Sequence, residues 1–199
     1  MDFLLASNNE HKRIELEQLL TPHALVLPSS RNIEFEFEET GATFIENSIG
    51  KAMHLYQLAH APTISDDSGL VIDALDGEPG IYSNRYGSEL YNRLLSDSER
   101  SAYVLEKLRD VPPAQRQARF VCAMTIVLDP YRIYTIQESV EGEIALYPSG
   151  SGGFGYDPIF RVHSLQKMMA ELTTKEKNRV SHRALAAQRI LTLLENITP

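Results

Sequence analysis

The sequence predicts an α/β fold built on a mixed sheet, and three observations carry that prediction. Strand-like apolar runs and helical periodicities interleave from the N-terminus onward. Two long strand-like runs, "ARFVCAMTIVL" and "RIYTIQESVEGEIAL", are separated only by "DPY" and form an antiparallel hairpin in the middle of the chain. A helical stripe closes the sequence. Strand–helix alternation favours parallel pairing and a tight hairpin adds an antiparallel pair, so the sheet is mixed. No internal repeat, low-complexity linker or clean boundary divides the chain, and residues 1–199 are read as a single domain.

The elements follow in order. "DFLLA" is a short buried strand. "NNEHKRIELEQLL" is a helix with Leu16, Leu19 and Leu20 on one face, ended by Thr21-Pro22. "ALVLP" is a second strand, and "IEFEF" alternates apolar and acidic residues as a half-exposed strand does. "TFIE" (Thr43 to Glu46) is a capping box opening a long helix with Ile45, Ile49, Ala52, Tyr56 and Ala59 as its apolar stripe. "TIS" reads as a short strand running into Asp66-Asp67, and "GLVIDAL" as another. Residues 88–109 read as one helix, broken by "VPP". After the hairpin comes the glycine-rich loop "PSGSGGFGYDP". "LTTKEKNRV" carries a second Thr-x-x-Glu capping box. A final helix over 182–196 has Ala184, Ala187, Leu191 and Leu194 on its stripe and Ser181 as N-cap.

Composition excludes several classes. With 43% hydrophobic residues the chain can bury a sizeable core. Its net charge of −8 lacks the basic face that duplex nucleic acid needs, though a small anionic ligand needs only a local cluster of cations. The single cysteine, Cys122, sits in an apolar run and reads as a small buried hydrophobe, which suits a reducing compartment. The N-terminus lacks a basic n-region, and no apolar run approaches membrane-spanning length. The expectation is a soluble cytoplasmic protein with neither a nucleic-acid nor a membrane partner.

Four stretches carry chemistry. In "ASNNEHK" a strand gives way to a helix whose free N–H groups offer a seat for phosphate, with Ser7, Asn9 and Lys12 around it. Taken alone, an ordinary N-cap beside a solvated lysine explains it as well. Glu38-Glu39 and Asp66-Asp67 supply carboxylates of the kind magnesium takes together with water and phosphate oxygens. On a strand the two aspartates point to opposite sides, so one can face a site while the other is satisfied elsewhere. A solvated acidic edge and an Asp-capped turn are the plainer readings of these pairs. The loop holding Gly150, Gly152, Gly153 and Gly155 threads Phe154, Tyr156 and Asp157 through backbone that can approach a ligand closely. In "EKNRVSHRALA", His182 and Arg183 fall in the first turn of a helix, where cations oppose the helix dipole, with Lys175, Lys177 and Arg179 just upstream. Together these features describe a magnesium-dependent enzyme acting on a phosphorylated small molecule of nucleotide type.

In this order "SNNEHKRIE", "EETGATFIENSIGKA", "DDSGLVIDALDGEPGIYSNRYG", "GSGGFGYDPIF" and "AELTTKEKNRVSHRALA" resemble the inosine triphosphate pyrophosphatases, the non-canonical purine nucleoside triphosphate pyrophosphatase family. The family commonly has Gly at the position of Asn8 and Ala at that of Asn84. The resemblance implies an elongated α/β fold with a long mixed sheet flanked by helices, two lobes around a central active-site cleft, and a homodimer. It implies hydrolysis of ITP, dITP or XTP to the monophosphate and pyrophosphate with Mg2+, which cleanses the nucleotide pool. Carried over by residue, Ser7, Asn8, Asn9, Glu10, His11 and Lys12 hold the triphosphate and Lys51 reaches a phosphate. Glu39 binds the metal. Asp67 is the catalytic carboxylate, as general base, metal ligand or both, and Ser68 contacts substrate. Phe154, Gly155, Tyr156 and Asp157 shape the base and sugar pocket. Lys177, His182 and Arg183 contact the nucleotide, the last two near the base. A pyrophosphatase for another modified nucleotide, or a non-catalytic nucleotide sensor on the same fold, would share many of these features.

Overall fold

The computed structural model describes residues 1–7 and 9–197, apart from the His11 side chain. Asn8 and the His11 side chain, both candidates for the phosphate turn, therefore lie outside the described residues. The elements run β1 (Asp2–Leu5), α1 (Glu10–Leu19), β2 (Ala24–Val26), α2 (Phe44–Ala59), β3 (Thr63–Ile72), α3 (Ser88–Tyr91), α4 (Asp97–Lys107), β4 (Gln117–Asp129), β5 (Arg132–Ile144), β6 (Phe160–Val162), β7 (Lys167–Met168), α5 (Thr174–Val180) and α6 (His182–Ile197). The strands form one seven-stranded sheet in the order β2-β1-β3-β4-β5-β6-β7. β1 pairs in parallel with β2 and β3, and β6 pairs antiparallel with β5 and β7, so the sheet is mixed as expected. No helix among the described residues is long and apolar enough to cross a membrane.

The chain divides into two compact units. The first comprises Met1–Ser68, Cys122–Glu138 and the C-terminal segment from His182; the second comprises Gly69–Val121 and Ser139–Ser181. In the first, strand alternation sends Phe3 and Leu5 to one face of β1 and Leu4 and Ala6 to the other. Phe3 and Leu5 pack with Leu16 and Leu20 of α1, Met124 and Ile126 of β4, and Ala187 and Ile190 of α6. Leu4 and Ala6 pack with Phe35 and with Leu55 of α2. Full burial of each Leu or Phe contributes about 1.5–3 kcal/mol, which is ample to seat these helices on the sheet. The second unit packs Leu70, Ile72, Val104, Leu108, Phe120 and Phe160 into its own core, with the rings of Phe120 and Phe160 centred 4.5 Å apart.

Four expectations are corrected. "IEFEF" forms no strand; residues 33–41 have no regular structure. Its alternation still reports burial, because Phe35 is buried and Ile33 and Phe37 are half-buried between exposed glutamates. The segment follows the period of a strand without joining the ladder. β3 is one continuous strand through Asp66-Asp67 rather than two, because tertiary partners satisfy the aspartates and leave no need for a local turn. α2 buries Phe44, Asn47, Ser48, Lys51, Ala52 and Leu55, whereas Ile45 is exposed; half of these buried residues are polar, so an apolar stripe misplaces the face. Residues 88–109 form two helices, since Ser96 and Glu99 build a reciprocal capping box that starts α4 afresh. Of the two predicted boxes, Thr173 and Glu176 complete theirs. At α2, Thr43 accepts from the Glu46 N–H at 3.1 Å, but the Glu46 carboxylate bonds the Ala42 N–H instead.

Candidate active site

β3 organises the carboxylates of the first unit. Ser65 and Asp67 face α2, while Asp66 and Ser68 face α1 and α6. On the α2 side, Asp67 Oδ2 accepts from the Asn47 side-chain amide at 3.2 Å and Oδ1 lies 3.3 Å from the Lys51 ammonium. The same ammonium is 2.6 Å from Glu39 Oε1. Asn47 and Lys51 reach this point together because they lie one turn apart on α2. Asn47 also accepts the Gly41 N–H at 2.8 Å, which fixes the end of the Glu39 segment relative to Asp67. Asp67 is 5% exposed and Lys51 7%. Burial pushes the Asp67 carboxyl above the usual carboxylate range, with Lys51 opposing and Glu39 adding to the rise. Burial pulls the Lys51 ammonium down, but the charges of Asp67 and Glu39 outweigh it and leave its pKa raised. Behind Asp67, Ser65 donates to the Ser48 carbonyl at 2.6 Å, so β3 and α2 are joined by hydroxyls as well as by charge.

On the other face, Asp66 is fully buried and lies 3.2 Å from the Lys12 ammonium, with the guanidinium of Arg183 at 3.3 Å and the Ser68 hydroxyl at 3.2 Å. Burial alone would raise the Asp66 carboxyl; Lys12 and Arg183 overcome it and hold it well below the usual range. At the start of α1, Asn9 is the N-cap and its side chain accepts the Lys12 N–H at 3.1 Å. Ser7 accepts the Asn9 N–H at 3.1 Å, and the Glu10 carboxylate takes Arg13 at 2.6 Å. A cavity of about 1080 Å³ opens beside this turn, lined by Ser7, Asn9, Glu10 and Arg13 and by Phe35 and His54. His182 and Arg183 begin α6 and are both buried.

The second unit holds the aromatic loop. Asp157 Oδ2 accepts the Phe154 N–H at 3.0 Å and the Lys177 ammonium at 2.8 Å, and that ammonium stands 5.0 Å from the centre of the Phe154 ring. Gly153 has φ +73°, and a Cβ there would meet Asp157 Oδ2 at 2.0 Å, so only glycine fits. The Gly155 N–H donates to Asp97 at 2.6 Å, and Gly155 takes a hydrogen bond from the Ser101 hydroxyl through its carbonyl at 3.3 Å. Tyr156 is buried and its hydroxyl donates to the Ser83 carbonyl at 2.8 Å.

The first unit thus gathers the described candidates Ser7, Asn9, Glu10, Lys12, Glu39, Lys51, Asp67, Ser68, His182 and Arg183, and the second gathers Phe154, Gly155, Tyr156, Asp157 and Lys177. Lys177 and Arg179 sit in the last turn of α5, where cations suit the helix dipole, whereas Lys175 stands in the first turn of α5 and His182 and Arg183 in that of α6. Sequence reasoning passed over Asn47, Glu15, Asp97 and Ser101. Asn47 could have been found from its one-turn spacing to Lys51; the other three carry no local signal. Among the described residues no three His, Cys, Asp or Glu side chains are grouped to hold a metal. Glu39 and Asp67 nevertheless converge on one cation, the Lys51 ammonium, and two carboxylates are what magnesium takes alongside water and phosphate oxygens.

Comparison with known proteins identifies the family. A family model described as the Ham1 family matches residues 3–193. A dITP/XTP pyrophosphatase of Treponema denticola is 49% identical over 186 residues, 94% of each chain. One from Bacillus subtilis is 43% identical over 194 residues, covering 96% of each. The structure of the Staphylococcus aureus Ham1 protein matches with a TM-score of 0.86 at 37% identity, over 98% of this chain and 99% of that one. A HAM1 protein from Coxiella burnetii matches with a TM-score of 0.87 at 38% identity, with the same coverage.

Proposed function

The chain belongs to the Ham1 family, and on that premise we propose that it hydrolyses the non-canonical purine nucleoside triphosphates ITP, dITP and XTP to the monophosphate and pyrophosphate, cleansing the nucleotide pool. One observation carries the reading from family to residues. Two carboxylates from separate segments, Glu39 and Asp67, meet at one buried ammonium, that of Lys51, and the charge of Lys12 in the first turn of α1 also acts on Asp67.

Phosphoryl transfer asks a protein mainly for positioning and charge neutralisation. Glu39 and Asp67 are the proposed Mg2+ ligands, and the bound ion would neutralise the triphosphate and stabilise pyrophosphate as it departs. Asp67 is the proposed catalytic carboxylate. Burial raises its affinity for a proton, which suits a base that takes one from the attacking water, and Asn47 fixes its orientation. Lys51 neutralises a phosphate oxygen. Ser7, Asn9 and Lys12, with the free N–H groups of α1, hold the triphosphate; Asn8, Glu10 and His11 are proposed to belong to the same turn. Ser68, His182 and Arg183 are proposed nucleotide contacts. In the second unit, Phe154, Gly155, Tyr156 and Asp157 are assigned to base and sugar and Lys177 to the nucleotide. Donors aimed at a 6-oxo group leave a penalty when adenine's 6-amino group takes its place, because a buried donor then goes unpaired.

Incubation with ITP and magnesium, followed by chromatography, tests the reading. IMP plus pyrophosphate is expected, with ITP, dITP and XTP hydrolysed well above ATP and GTP. IDP plus phosphate, or no preference over ATP and GTP, would contradict it. A homodimer in the cytoplasm is proposed as the working form; the family resemblance supports the dimer, and the one cysteine, buried and unpaired, suits a reducing compartment. Light scattering checks the mass in solution.

A further inference from the structure

Asp66 carries no role in the reaction as derived so far, yet it is fully buried beside residues that do. Its Oδ2 receives Ser68 Oγ at 3.2 Å and Arg183 Nε at 3.3 Å and lies 3.2 Å from Lys12 Nζ. Arg183 also donates from Nη2 to Ser68 Oγ at 2.9 Å and from Nη1 to the Glu15 carboxylate. Asp66 Oδ1 is buried and has no hydrogen-bond partner among the described residues.

A buried ionic cluster is a poor way to dock helices, because desolvation cancels most of what the charges gain. Docking is already supplied: α1 and α6 share an apolar core through Leu16, Leu20, Ala186, Ala187 and Ile190. The cluster therefore needs a different account. Its ion pairs set two cations, Lys12 and Arg183, against two carboxylates, Asp66 and Glu15. Both cations are ones the proposed function assigns to the nucleotide, so the inference rests on that reading.

We propose that Asp66 is a positioning residue that pins Lys12 and Arg183 in place and balances their charge, so that these cations orient an anionic nucleotide without retaining the pyrophosphate product. One Asp66 oxygen holds the cations at rest. The buried Oδ1 of the same carboxylate has no hydrogen bond that competes with this role among the described residues. Removing the Asp66 charge leaves Lys12 and Arg183 with one negative partner fewer, which strengthens their grip on any phosphate while loosening the geometry.

The test pairs Asp66→Asn with calorimetric titration of inorganic pyrophosphate into the nucleotide-free protein, and with steady-state hydrolysis of ITP. The expected result is pyrophosphate bound roughly tenfold tighter, as one uncompensated charge at short range implies, with KM for ITP lowered and kcat lowered at least severalfold. A merely structural role would raise KM and weaken pyrophosphate binding, and that outcome, or no change in either, overturns the proposal. Glu15→Gln removes the same unit of charge without touching Asp66 and serves if Asp66→Asn does not fold. It should also tighten pyrophosphate binding, and failure to do so overturns the charge-balance account. Absence of ITP hydrolysis by the wild type would instead strike the proposed function, whereas the pyrophosphate titration still decides the role of Asp66.

Discussion

The ammonium of Lys51 stands 2.6 Å from Glu39 Oε1 and 3.3 Å from Asp67 Oδ1. A tethered cation therefore occupies the point where two carboxylates from different segments meet. It compensates their repulsion, and it competes with any metal ion that would sit there.

Replacing Lys51 with Met removes that competitor. Divalent-cation binding to the nucleotide-free protein should tighten roughly tenfold, because two close carboxylates then lack their fixed counter-charge. Hydrolysis of ITP should fall, since the group proposed to neutralise a phosphate oxygen is lost. Titration of Mg2+ into the two proteins checks the first effect, and weaker metal binding in the variant would contradict it.

Acid stability should report Asp66. Its folded pKa lies below the ordinary 3.8, so the folded chain binds this proton less readily than the unfolded one. The stabilising contribution is thus present above about pH 4 and is lost as pH falls from there towards the folded pKa. Melting curves from pH 5 downward should show a loss in the wild type that is smaller in Asp66→Asn. Parallel curves would show that Lys12 and Arg183 do not hold the carboxyl ionised.

Gly153→Ala tests the aromatic loop. The added methyl would fall 2.0 Å from Asp157 Oδ2 at a φ of +73°, so Asp157 must release the Phe154 N–H, Lys177 or both. A destabilisation of about 2 kcal/mol is expected, lowering Tm by roughly 4–8 °C in a chain of this size. KM for ITP should rise with it. An unchanged Tm and KM would mean that the loop's closure on Asp157 is not needed.

Asp97→Ala separates loop placement from loop chemistry. Asp97 holds the Gly155 N–H at 2.6 Å and pairs with Arg100. The variant should raise KM for ITP severalfold while leaving the rate at saturation within about twofold, because uniform binding is lost rather than transition-state stabilisation. A loss confined to kcat would contradict that assignment.

How much of this was legible in the sequence depends on the range of the interaction. The hairpin of β4 and β5, the final helix and the Thr173 box were readable because propensity, turn and cap lie within a few residues of one another. The buried face of α2 was not, because Asn47, Ser48 and Lys51 are buried by partners 12 to 77 residues away in sequence, among them Glu39, Asp67 and Thr125. The same distance hid the continuity of β3. Asp66 and Asp67 look like a turn until Lys12 and Arg183 on one face and Asn47 and Lys51 on the other are in place. The proposed site residues came from motif resemblance and from residue chemistry, whereas Asn47, Glu15 and Asp97 emerged only from the folded geometry.

Asp67 is the proposed driver of ITP hydrolysis to IMP and pyrophosphate. Its most direct test is product analysis of wild type and Asp67→Asn side by side with ITP and magnesium. IMP plus pyrophosphate is expected from the wild type, and a rate lower by about 10²–10⁴-fold in the variant with much of the nucleotide binding kept. IDP plus phosphate from the wild type, or full activity in Asp67→Asn, would contradict it.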